Sequence, residues 1–179
     1  MSSILIVPIG KISNSHLHLL KAPLEATFGL TVTLNAERAL DPVFAFEPSR
    51  NQYYSTQLIK HLLRLYPSFP GKILGVTAYD LYIPVLTYVF GEAQLNGAVA
   101  VVSSYRLDNT YYGLPLDAAL LEERLIKETV HELGHTFGLL HCHDYECVMH
   151  SSTAVEDIDV KGERICGVCS TLLAKNKQG

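Results

Sequence analysis

The apolar positions of this chain fall into two periods, and their alternation outlines an α/β (α+β) fold. Residues 4–9 are almost wholly apolar, as in a strand buried on both faces. Residues 15–28 read as a helix ended by Gly29, with Pro23 as a point of kink or split. Residues 30–34, Leu-Thr-Val-Thr-Leu, alternate cleanly and predict a second strand. Residues 36–51 carry no clear period; Asp41-Pro42 and Pro48-Ser49 mark turns. A helix is expected over 53–66, with Leu58, Ile59, Leu62 and Leu65 on one face and Pro67 as its stop. Strands are expected over 73–78, 86–90 and 98–103, the last two joined through the hairpin signal Asn96-Gly97. Pro115 and Asp117 open a long helix with an apolar stripe of Ile126, Val130, Leu133 and Phe137. Only the tail, 175–179, reads as unstructured. The β-α-β-α-β order predicts a twisted mixed sheet of four parallel strands and one antiparallel edge strand.

The end of that long helix carries chemistry. From His131 to His141 the chain reads H-E-x-x-H-x-x-G-x-x-H, a metzincin zinc-binding stretch. A helix advances about 100° per residue, so His131 and His135 share one face, one turn apart. Gly138 is free to take the left-handed conformation that ends a helix, and the turn brings back His141 as a third ligand. Three protein ligands leave a fourth position open for water, the arrangement of a catalytic zinc. Glu132, beside the first ligand, is the expected general base. The competing reading is an ordinary amphipathic helix with histidines. Five fixed positions in one window arise by chance in roughly one chain in ten thousand, which disfavours it.

Composition narrows the setting. The chain has 179 residues, 48% of them hydrophobic and 18% charged, enough apolar material for one core. A net charge of −4 offers no case for nucleic acid or an anionic membrane surface. The N-terminal run is too short for a signal peptide and lacks a basic start, and no stretch approaches the ~20 apolar residues of a membrane span. The expectation is a cytoplasmic monomer made without a pro-segment.

In a reducing compartment the cysteines favour metal over disulfides. All four fall between Cys142 and Cys169: Cys142 and Cys147, then Cys166 and Cys169. Four thiolates in two close pairs suit a closed tetrahedral zinc site, which is structural because it has no open position. Disulfides or an iron–sulfur cluster are the alternative uses of these thiols. The segment after His141 is too small to hold itself by an apolar core alone, which again calls for a staple. His143 and His150 read as solvated loop residues, and Asp144 and Glu146 as solvated charges.

The whole constellation resembles the archaemetzincin family: the motif running straight into Cys142, then Cys147-Val148-Met149, then Cys166-Gly167-Val168-Cys169. Val89-Phe90-Gly91-Glu92-Ala93 and the Ala-Val-Val-Ser beginning at Ala100 are similar to that family's edge-strand region. The resemblance implies a metzincin fold in a single domain. Residues 1–138 would form the subdomain of sheet and active-site helix, and 139–179 a small zinc-stapled C-terminal subdomain. It makes Met149 the hydrophobic floor beneath the zinc-bound imidazoles, and the strand near 86–90 the upper rim of the cleft.

These readings converge on a zinc metallopeptidase with two zinc ions per chain, in which Glu132 assists attack of zinc-bound water on a peptide bond. An always-active cytoplasmic protease needs containment. A narrow cleft or strict recognition of chain ends favours short peptides as substrates. A zinc amidohydrolase acting on a non-peptide bond is the first alternative. A non-catalytic zinc-stabilised peptide-binding protein is the second, and Glu132 counts against it.

Overall fold

A computed structural model of the protein describes residues 3–35 and 39–177. In chain order the strands are β1 (Ser3–Ile9), β2 (Thr31–Leu34), β3 (Phe46–Glu47), β4 (Gln52–Tyr54), β5 (Lys72–Thr77), β6 (Leu81–Tyr82), β7 (Gly91–Ala93) and β8 (Val99–Ser103). The helices are α1 (Asn14–Leu19), α2 (Lys21–Phe28), α3 (Ser55–Leu65), α4 (Ala118–Thr136), α5 (Val155–Val160) and α6 (Gly167–Asn176). The main sheet has the order β2-β1-β5-β8-β7. Its first four strands are parallel and β7 is the antiparallel edge, as the order of elements predicts.

Strand alternation sorts the core into two layers. Ile4, Ile6, Leu74, Val76, Ala100 and Val102 face α1, α2 and α4. Val7, Ile9, Ile73, Val99 and Val101 face Leu58, Ile59 and Leu62 of α3. Parallel strands covered on both faces explain why β1 and β8 read as apolar runs rather than as alternating ones. Among the described residues no helix is long and apolar enough to cross a membrane.

Several boundaries differ from the sequence expectation. The helix over 15–28 divides at Leu20, so that Pro23 falls in the first turn of α2. In that turn its missing N–H leaves no hydrogen bond unmade. The antiparallel partner of β8 is Gly91–Ala93, not 86–90; in the latter segment only Val89 bridges, to Leu81. Asn96 does take a left-handed turn conformation, φ 52°, between β7 and β8. The aperiodic stretch contains β3, which joins β4 and β6 in a small second sheet; residues 36–38 lie outside the described residues. Tyr53 and Tyr54 belong to β4, so α3 starts later than its pattern suggests, and Leu65 is 49% exposed. Lys175 and Asn176 belong to α6, where Asn176 Nδ2 donates to Phe137 O at 2.8 Å; residues 178–179 lie outside the described residues.

The C-terminal end of α4 is where the site is built, and its carbonyls are all engaged. Gly138, at φ +81°, donates to His135 O, and Leu139 N donates back to Gly134 O at 3.1 Å, a Schellman closure. Thr136 Oγ1 donates to Leu133 O, and Asn96 N to His135 O. Lys72 Nζ, at the start of β5, donates to Thr136 O at 2.7 Å. A cation at this end also complements the helix dipole.

Candidate active site

The Schellman turn turns the chain back, so that His131, His135 and His141 converge. One ring nitrogen from each lies within 4.8 Å of the others. His131 and His135 Nε2 are 3.1 Å apart. Tetrahedral zinc with bonds of about 2.0–2.1 Å places neighbouring nitrogens about 3.3 Å apart, so this donor set fits the ion. The Nδ1 atoms are taken: His131 Nδ1 bonds Val148 O at 2.9 Å and His135 Nδ1 bonds Leu139 O at 2.7 Å. These carbonyls require N–H at Nδ1 and leave Nε2 as the lone-pair donor. Burial, above all, lowers the pKa of all three rings, most strongly at His131, and so favours the neutral imidazole that binds metal.

Glu132 lines the same cleft as the histidines, a cavity of about 370 Å³ whose other walls include Ile83, Leu86, Val89 and Phe90. Burial holds its carboxyl well above the usual range, with Glu128 adding to the rise and Lys161 opposing it. Met149 is fully buried beneath α4. A Cβ on Gly134 would lie 2.4 Å from Met149 Sδ, so the helix rests directly on that thioether. The segment around Met149 also supplies Val148 O to His131, and its own Met149 O accepts from Cys142 N at 2.9 Å.

Cys142, Cys147, Cys166 and Cys169 form a second cluster with sulfurs within 4.8 Å of one another. Cys142 and Cys166 Sγ are 3.8 Å apart, and all four thiols are free. A disulfide requires about 2.05 Å, whereas zinc–sulfur bonds of about 2.3 Å in a tetrahedron place sulfurs about 3.8 Å apart. Cys166 is the residue just before α6, and the nearby backbone N–H of Cys169, first among several influences, holds its thiol down at about 7. Burial pushes Cys147 and Cys169 up. The structure brings together, as one cluster of histidines and one of cysteines, the seven residues expected from the sequence to ligate metal.

The model of peptidase family M54 matches residues 34–175. The archaemetzincin of Methanocaldococcus jannaschii is 39% identical over 166 residues, covering 93% of this chain and 89% of the relative. The crystal structure of archaemetzincin from Methanopyrus kandleri superposes with a TM-score of 0.86 at 35% identity, covering 99% of this chain and 96% of that one. A zinc-dependent peptidase from Methanocorpusculum labreanum gives 0.86 at 31% identity, over 96% and 100%. This chain belongs to the archaemetzincins. As a member of peptidase family M54 it is a zinc metallopeptidase of the metzincin type.

Three features of this archaemetzincin escape sequence reasoning. Arg124, Lys127 and Glu128, charged residues of α4, are buried where α5 docks. Arg124 pairs with Asp159 at 2.6 and 2.7 Å, and Lys161 Nζ reaches Glu128 Oε1 at 2.7 Å. Lys161, 1% exposed, lies 3.5 Å from His131 Nδ1. A charge four residues before Glu132 belongs to no motif, so nothing in the sequence marked Glu128. His150 is not a free loop residue: its Nδ1 bonds Cys142 O at 2.8 Å and the Tyr145 ring packs against its own, tilted by 46° with centroids 4.6 Å apart. Asp144 likewise has a partner, accepting Glu146 N at 3.0 Å. His143 is exposed, as expected.

Proposed function

We propose that His131, His135 and His141 hold the catalytic zinc, that Glu132 is the general base, and that short peptides are the substrates. The observation that supports this most is the convergence of three ring nitrogens and one carboxylate in a single, largely apolar cleft. A bound zinc ion supplies a Lewis acid for the peptide carbonyl and lowers the pKa of water towards ~7. The chain supplies the rest. Val148 O and Leu139 O orient the imidazoles. Glu132 accepts the proton of the attacking water and returns it to the leaving amine nitrogen. The free edge of β7 offers backbone groups to an extended peptide.

Cys142, Cys147, Cys166 and Cys169 hold a second, structural zinc in this reading, giving two ions per chain. Residues 139–179 are then a subdomain fastened by that metal and by Cys147, Val148, Met149, Ile158 and Leu173, which enter the same core as α4. Gly138 ends the helix and Met149 supports it. A peptide-library cleavage assay with wild type beside Glu132→Ala tests the assignment. Wild type is expected to cleave and the variant to be silent. Equal cleavage by both would overturn it.

A further inference from the structure

A hydrogen bond joins two walls of the cleft. Tyr88 Oη donates to Thr153 O at 2.8 Å, joining the upper wall to the strand of chain that follows Met149. Both residues line the same cavity as His131, Glu132, His135 and His141. Each anchor is braced independently of the bond. The Arg106 guanidinium lies 4.1 Å from the Tyr88 ring centroid and is itself gripped by Asp80 at 2.6 and 2.7 Å. The ring also meets Phe90 edge-on at 5.4 Å. Just upstream, Arg50 Nη2 donates to Leu86 O and Thr87 O at 2.9 and 3.0 Å. On the lower side, Thr153 N and Oγ1 both donate to Asp157 Oδ2, at 2.7 and 3.0 Å, which fixes the entry to α5.

The distance from the bridge to the chemistry sets a length. Gly91 abuts Glu132, since a Cβ there would lie 2.5 Å from Glu132 Cγ. Tyr88 is three residues before Gly91 on the rim. At about 3.3 Å per extended residue, a peptide running along the rim from Glu132 meets the bridge within ~10 Å. The direction of that peptide follows from β7, which runs away from Tyr88. Antiparallel pairing, the more stable per residue, sends a substrate towards Tyr88 from its N- to its C-terminus.

We propose that the Tyr88–Thr153 bridge makes the enzyme recognise a C-terminal chain end, leaving room for about three residues after the scissile bond. The proposal rests on the peptidase reading above and makes its short-peptide preference specific. It also restrains the enzyme: a C-terminus packed against its own folded domain cannot insert to that depth, whereas that of a short peptide can.

The test is a peptide series with one fixed scissile bond, extended by one to eight residues on either side. Wild type is expected to lose at least ~10-fold in kcat/KM once the C-terminal side passes about three or four residues, mainly through KM, and to tolerate N-terminal extension. Tyr88→Phe keeps the stacked ring and removes the bond. The ratio of long to short substrates should then rise about 2–10-fold, the scale of one net hydrogen bond. Amide hydrogen exchange over residues 86–93 should quicken in the same variant, a readout independent of catalysis. A general loss of stability would lower both rates and leave their ratio alone. Equal cleavage of long and short C-terminal extensions by wild type, a length limit on the N-terminal side instead, or an unchanged ratio in Tyr88→Phe would each overturn the proposal. Failure of wild type to cleave any member of the series would instead overturn the peptidase reading beneath it.

Discussion

Gly91 and Glu132 occupy space that only one of them can fill. A Cβ at position 91 would lie 2.5 Å from Glu132 Cγ and 2.8 Å from its Cδ and Oε1. The glycine is therefore demanded by the carboxylate opposite it, not by its own backbone. The neighbouring Glu92 points elsewhere, accepting Thr56 Oγ1 at 2.8 and 2.9 Å and Ser55 Oγ at the start of α3, so β7 cannot retreat freely. Gly91→Ala should therefore move Glu132 and not β7. Turnover is expected to fall ~10–100-fold, the cost of misplacing a catalytic group by a fraction of an ångström to one ångström. Zinc content should be retained. Wild-type turnover in a folded Gly91→Ala protein would show that the rim is more compliant than this packing implies.

Glu132→Gln separates the base from its shape. The amide fills the same volume beside Gly91 and leaves the three imidazoles alone. Turnover should drop by at least ~100-fold, while zinc content and thermal stability stay near wild type. Steady-state kinetics beside metal analysis decides this, and a variant that turns over like wild type removes Glu132 from the mechanism.

Much of this was legible in the sequence because it is local. The spacing of His131, His135 and His141 is helix geometry followed by a left-handed glycine, and both are properties of a few consecutive residues. The Cys142–Cys169 cluster was legible because four thiols in a small segment have few other uses. What escaped is long-range. Gly91 owes its identity to Glu132, 41 positions away (132 − 91 = 41). Lys161 and Glu128 look like ordinary surface charges until α5 docks on α4. The strand over 86–90 was misplaced because its apolar residues line a cleft, and a cleft wall has the same composition as a buried strand.

The Lys161–Glu128 pair is buried on both sides, at 0% and 4% side-chain exposure. Removing one partner strands the other charge in the interior, which costs about 3–5 kcal/mol. Lys161→Met should be destabilised on that scale in urea unfolding. Lys161→Met combined with Glu128→Leu should recover a large part of the loss, since a packed apolar pair removes the stranded charge. A single variant within about 1 kcal/mol of wild type would mean that water or rearrangement relieves Glu128 without Lys161.

Metal content follows from the two donor groups. Protein purified without chelator is expected to carry about two zinc ions, one released readily to a chelator from the open histidine site and one slowly from the closed thiolate site. A reproducible single ion, with all four cysteines alkylatable, would remove the thiolate site.

The two donor groups share the backbone segment 141–150, and Cys166→Ser tests whether they act together. Cys142 follows His141 directly in sequence. Its N–H donates to Met149 O at 2.9 Å, and its carbonyl accepts His150 Nδ1 at 2.8 Å. One residue before Met149, Val148 O orients His131. A metal on Cys142 and Cys147 would therefore hold the third histidine, Met149 beneath the site and the carbonyl that fixes the first histidine. Cys166 touches none of these directly, yet its sulfur completes the same cluster, 3.8 Å from Cys142 Sγ. Losing it should empty the thiolate site and loosen residues 141–150. His131 and His135 stay on α4, so the catalytic ion should be kept with affinity lower by ~10–100-fold, the usual cost of an outer-sphere support. Zinc titration into the apo variant, followed by catalytic-site occupancy and by peptide cleavage, reads both effects. Wild-type affinity and rate in a variant shown to lack the second ion would mean that the hydrogen bonds around Met149 hold the site without help from the thiolates.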